Sequence, residues 1–74
     1  MATTQTLPQT FGIRCRELRT AKGWSQEVFA DNCEIHRSHM GEIERGEVDV
    51  SLTTLRKIAK GLEMTAGQIL KGII

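Results

Sequence analysis

Residues 23–46 read GWSQEVFADNCEIHRSHMGEIERG, and this stretch decides the fold. Lys22 followed by Gly23 ends a preceding helix: a cation in its last turn, then a residue free to take a positive φ. Ser25 is a natural N-cap, and Glu27 in the turn after it faces the positive end of the helix dipole. From Gln26 to about Cys33, the residues Phe29, Ala30 and Cys33 share one face. Glu34–Ile35–His36 breaks the pattern, and a further helix runs from about Arg37 to Arg45, closed by Gly46. Met40 and Ile43 join Ile35 on its apolar side, whereas Arg37, Ser38, His39 and, one turn on, Glu42 form a polar face. Helices of two turns do not stand alone in water, so both must pack against others.

Those others lie on either side. Phe11, Cys15 and Leu18 recur at spacings of four and three, which predicts a helix from Thr10. Downstream, Ser51 caps a helix with Leu52, Leu55, Ile58, Ala59 and Leu62 on one stripe. Thr65 with Gln68 three later forms a capping box for a last helix that carries Ile69, Leu70, Ile73 and Ile74. No alternating strand pattern occurs. The expectation is an all-α domain of five short helices over residues 10–74, preceded by a polar, flexible N-terminus at 1–9.

Composition narrows the function. A chain of 74 residues, 39% hydrophobic and 26% charged, is one small globular domain. Its core is too small to enclose a substrate pocket of ~300–1,000 Å³, which argues against an enzyme. His36 and His39 lie near acids, but no nucleophile with an oriented base accompanies them. Cys15, Cys33, His36 and His39 lack the paired spacing of a zinc site, so no metal and no cofactor is expected. The two cysteines read as small core hydrophobes in a reducing cytoplasm. No apolar run approaches ~18–20 residues, so no membrane partner is expected. The net charge of +1 leaves the partner open.

The spacing is more telling. A short helix that offers extendable polar side chains at its N-terminal end, held by a second short helix, fits the major groove of DNA. Arg37 can donate twice to guanine O6 and N7, and Glu42 can accept from cytosine N4. The bland alternatives are a solvated Arg37, a Glu42 paired with a nearby cation, and a His39 that is merely exposed.

The stretch Phe11–Leu70 resembles the Cro and phage-repressor type of helix-turn-helix family, often called XRE. The matching segments are Arg-Glu-Leu-Arg at 16–19, Gly-Trp-Ser-Gln-Glu at 23–27, Phe-Ala at 29–30, Ile-Glu-Arg-Gly at 43–46 and Ser-Leu-x-x-Leu-x-x-Ile-Ala at 51–59. Within that family, Ile-His-Arg-Ser-His-Met at 35–40 is similar to the controller proteins of restriction–modification systems. The resemblance implies a five-helix, lambda-repressor-like fold and a transcriptional regulator that binds a two-fold symmetric operator as a homodimer. It implies that Arg37, Ser38, His39 and Glu42 read bases, and that Ser25, Gln26 and Arg45 meet phosphates. His36 is either a further phosphate contact or a side-chain cap that ends the turn. Arg19 and Glu44 match a structural ion pair between the first and third helices. Leu70, Ile73 and Ile74, with the outer edge of the fourth helix, are the expected dimer interface. Glu27 and Asp31 match positions at which related activators touch RNA polymerase. Three departures stand out: Glu34 where the turn usually has glycine, an acidic Glu47–Val48–Asp49 loop, and Ile13 at an exposed position. The competing reading is an antitoxin or adaptor that docks a protein on its apolar C-terminal helix.

Overall fold

The caps set the helix boundaries. The computed structural model describes residues 5–74. Helix α1 spans Leu7–Ala21, α2 Gln26–Cys33, α3 Arg37–Glu44, α4 Leu52–Leu62 and α5 Ala66–Leu70, and no strand occurs among the described residues. Ser25 Oγ accepts from the Val28 backbone N–H and Ser51 Oγ from that of Thr54, each at 3.1 Å. Thr65 and Gln68 cap each other reciprocally at 2.9 and 3.0 Å.

The start of α1 differs from expectation. Thr6 Oγ1 accepts from Gln9 N at 3.2 Å, and Gln9 Oε1 accepts from Thr6 N at 2.9 Å. This second capping box starts the helix at Leu7, with Pro8 in the first turn, where its missing N–H has no partner to lose. Residues 7–9 are therefore helical and not a frayed tail; residues 1–4 of that segment lie outside the described residues. The polar Thr/Gln composition hides a cap that is itself made of Thr and Gln.

The other end also differs. Helix α5 stops at Leu70, and Ile73 N–H donates to Leu70 O at 2.9 Å in a turn that contains Gly72 at φ 83°. Ile73 and Ile74 thus follow the helix instead of extending it. Leu52 is a further correction: placed on the inner stripe by periodicity, it is 84% exposed at the first position of α4.

Phe11, Cys15, Phe29, Ala30, Cys33, Ile35, Met40, Ile43, Ile58, Leu62 and Ile69 form one buried cluster drawn from all five helices and the α2–α3 turn. Two glycines bring helices close. A Cβ at Gly12 would overlap the carbonyl oxygens of Ile43 and Glu44, and one at Gly61 would overlap Cys33 Sγ. Helix α1 thereby seats directly on the C-terminal turn of α3, and α4 on the end of α2. Arg14 donates to the carbonyls of Ile69 and Gln68 at 3.1 and 3.2 Å, a cation at the negative end of α5. Both cysteines are free and buried. Burial, reinforced by the nearby Glu44 charge, pushes the Cys15 thiol up to about 12, and burial pushes Cys33 to about 11.

Glu34 and Glu63 close α2 and α4 in the same left-handed conformation, φ 56° and ψ 41°. At Glu34 the chain then makes the bond Ile35 N–H to Ala30 O at 3.0 Å, which fixes the angle at which α3 leaves α2.

Candidate nucleic-acid interface

Helix α3 is anchored by one carboxylate. Glu44, with a side chain only 4% exposed, accepts from Arg19 Nε at 2.8 Å and Nη2 at 3.0 Å, and from Gln26 Nε2 at 3.1 Å. Arg19 also donates through Nη1 to the Trp24 carbonyl at 3.1 Å. Glu44 therefore ties together α1, the α1–α2 connection and the first residue of α2. The hydrogen bond to Glu44 raises the Arg19 pKa above its usual value. Charge-assisted, bidentate bonds of this kind set orientation as well as energy. Gln26 is thus bound to α3 from the N-terminus of α2, with one amide N–H left over. Ser25 beside it is exposed, its hydroxyl committed to the cap.

The inner side of α3 is Met40, Gly41, Ile43 and Glu44. Its outer side carries Arg37 and Ser38, exposed, and His39 and Glu42, half-buried. Within this set His39 Nδ1 lies 3.2 Å from Glu42 Oε1. His36 is the N-cap of α3: its Nδ1 accepts from Ser38 N at 3.3 Å and lies 2.8 Å from Ser38 Oγ. An Nδ1 that accepts assigns the ring proton to Nε2, on a side chain that is exposed.

The two arginines of this face are both engaged by carboxylates. Arg45, just past α3, donates to Glu47 from Nε at 2.9 Å and Nη2 at 3.1 Å. That hydrogen bonding holds the Glu47 carboxyl below its usual range. Arg37 approaches Glu27 at 3.5 Å and Asp31 at 3.4 Å, so residues treated separately in the sequence come together here. Neither pairing is visible in helical periodicity, because each joins residues of different elements.

A second feature lies at the chain's two ends. Leu7, Pro8, Phe11, Asp49, Val50, Leu52, Leu55, Leu70 and Ile74 line a shallow groove of about 210 Å³. Leu7, Leu52 and Ile74 are 55%, 84% and 85% exposed. Of the three C-terminal residues expected at an interface, Leu70 and Ile74 line this groove, whereas Ile73 does not. The larger concavity, about 680 Å³ between α2 and α4, is an open cleft lined by Lys22, Trp24, Arg56, Lys57 and Lys60 together with Glu34 and Glu63. Its volume falls within the range that the sequence reading held too large for so small a core to enclose, and the difference is that the core does not enclose it. The space is on the surface, and the one thiol that borders it, Cys33, is buried and protonated.

A sequence profile of the helix-turn-helix family matches residues 16–69. The control protein C.BamHI of Bacillus amyloliquefaciens is 43% identical over 53 residues, covering 70% of this chain and 65% of that protein. The control protein C.MunI of a Mycoplasma species is 38% identical over 64 residues, covering 85% and 86% of the two chains. The structure of the restriction–modification controller protein C.AhdI from Aeromonas hydrophila superposes with a TM-score of 0.80 at 44% identity, over 84% of this chain and 94% of that one. The chain spans just under two thirds of the length of C.BamHI. A matched profile over most of the chain, together with a bracing carboxylate that sets the angle between two short helices, places this chain in the helix-turn-helix family.

Proposed function

We propose that the protein is a transcriptional regulator that binds a two-fold symmetric DNA operator as a homodimer. The observation that carries this reading is the Arg19–Glu44–Gln26 brace, which holds α3 by its inner side and turns its polar N-terminal face outward. The similarity to control proteins supports it. In this reading Arg37, Ser38, His39 and Glu42 meet base edges, and Ser25, Gln26, His36 and Arg45 meet phosphates. The protein then works in the cytoplasm, where its DNA is.

One recognition helix covers too few base pairs for useful selectivity; two in successive major grooves, ~34–36 Å apart, cover enough. The apolar groove of α1, α4 and α5 is the surface we assign to the second copy, with Leu70 and Ile74 in it and Ile73 beside it. Selection of binding sites from random duplex DNA tests the function. The expected result is a recovered sequence with two-fold symmetry; a pool with no preference overturns the reading. Arg37→Ala should relax preference at one base per half-site and cost ~1–3 kcal/mol, whereas Gln26→Ala should weaken all sequences alike.

The exposed apolar groove also favours a second reading, a protein-binding adaptor or antitoxin. Sedimentation of the purified chain separates the two: a dimer that Leu52→Glu dissociates supports the first, and a monomer supports the second. Glu27 and Asp31 complete the proposal as an acidic surface open to RNA polymerase. Transcription at matched operator occupancy, compared with Glu27→Lys and Asp31→Lys, tests that element.

A further inference from the structure

Arg37 is the first residue of α3, and its guanidinium spans two carboxylates of α2. Nη1 lies 3.5 Å from Glu27 Oε2 and Nη2 lies 3.4 Å from Asp31 Oδ2. Glu27 and Asp31, four residues apart on one helical face, repel each other, and the arginine between them offsets that repulsion. A cation gains nothing from the dipole at a helix N-terminus, so these carboxylates are its local partners. All three side chains are more than half exposed, at 59%, 68% and 62%. Exposed pairs at this separation are weak and open readily. The clasp is therefore a competitor that can be displaced and not a permanent lock.

We propose that Glu27 and Asp31 compete with operator DNA for the Arg37 guanidinium and thereby set the protein's affinity for DNA. The proposal rests on the DNA-binding reading above. Held between the α2 carboxylates, the guanidinium directs one N–H of each Nη at them, and it must turn away to present both Nη groups to a base edge. When it moves to the bases, both carboxylates are left bare beside the phosphates. By linkage, a cationic partner that occupies Glu27 and Asp31 frees Arg37 and favours DNA to the same degree. Glu27 and Asp31 are positioning residues: they act on DNA through Arg37.

A double-mutant cycle tests this, with a duplex recovered by selection and a scrambled duplex of equal length as probes. Glu27→Gln/Asp31→Asn removes both charges with little change of shape. In the wild-type background it should tighten operator binding three- to ten-fold at 50 mM salt. In the Arg37→Ala background, where only general repulsion from phosphate is relieved, the gain should stay below two-fold. The difference between backgrounds should shrink as salt rises to 300 mM, since the clasp is an exposed charge pair. Asp31→Asn alone, in the middle of α2, gives the same pattern at smaller size if the double variant melts early. Equal gains in both backgrounds overturn the proposal, as does no gain in the wild-type background. A wild-type chain that binds the selected and scrambled duplexes equally overturns the DNA reading itself, which is a separate result.

Discussion

Replacing Glu44 by alanine removes the acceptor of three hydrogen bonds at once: two from Arg19 and one from Gln26. The Arg19 side chain is 13% exposed, and its one remaining acceptor is the Trp24 carbonyl. Stranding one member of a buried pair costs ~3–5 kcal/mol, because the other charge keeps its desolvation without its partner. Arg19 lies near the surface and can partly rehydrate, which puts the expected loss at the lower end, about 3 kcal/mol. A domain of this length has a total stability of roughly 4–11 kcal/mol, at ~0.05–0.15 per residue, so this is a large fraction of it. The check is urea unfolding followed by circular dichroism, at one fixed protein concentration because association also stabilises. The double variant Arg19→Met/Glu44→Leu removes both charges and should lose much less than the sum of the single variants. A Glu44→Ala midpoint within experimental error of wild type would refute the argument. So would a double variant whose loss equals the sum, since that would mean no charge is stranded by either single change.

Three further outcomes follow from the backbone and the core. Glu34→Gly and Glu63→Gly should each stabilise the fold by a few tenths to ~1 kcal/mol and so raise the melting temperature, because a side chain is strained at φ 56°; a clear fall would show that the carboxylates stabilise those turns. Gly12→Ala should destabilise by ~1–3 kcal/mol by forcing α1 off α3, whereas Gly67→Ala, whose Cβ would meet only Thr65 Oγ1 at 3.9 Å, should be neutral or stabilising; equal melting temperatures would contradict the close approach. Cys15 and Cys33 are held at about 12 and 11, above the ordinary 9.0, so both stay protonated at pH 8 and should resist alkylation until the chain unfolds. A raised folded value stabilises below pH 9, and that contribution is lost as pH climbs from 9 toward 11–12, so unfolding midpoints should fall over that interval.

Features that repeat along one helix were legible in the sequence. The inner residues of α2 and α3, the Ser25 and Ser51 caps and the Thr65–Gln68 box depend on spacings of three and four, and the structure has them in place. Glu34 at a glycine-like position is legible only through the family resemblance, whereas Glu63, with identical dihedral angles, lies in no such motif. Leu52 was misplaced because periodicity says which face a residue shares and not how far the neighbouring helices extend to cover it. The Arg37–Glu27–Asp31 and Arg45–Glu47 contacts depend on the angle between elements and on loop shape, which no one-dimensional pattern encodes.

The apolar groove joins the two ends of the described chain, with Leu7 and Pro8 on one lip and Leu70 and Ile74 on another. Sequence added after Ile74 leaves the chain beside that surface. An affinity tag at the C-terminus then starts next to the groove, where it can mimic or block self-association in a binding experiment. Cleaved protein, free of added residues at both ends, is the proper material for measuring oligomeric state. Because Leu7 and Ile74 border one groove, a peptide bridge from residue 74 to residue 7 is a route to a permuted chain in which the groove is reshaped while α2 and α3 keep their connection.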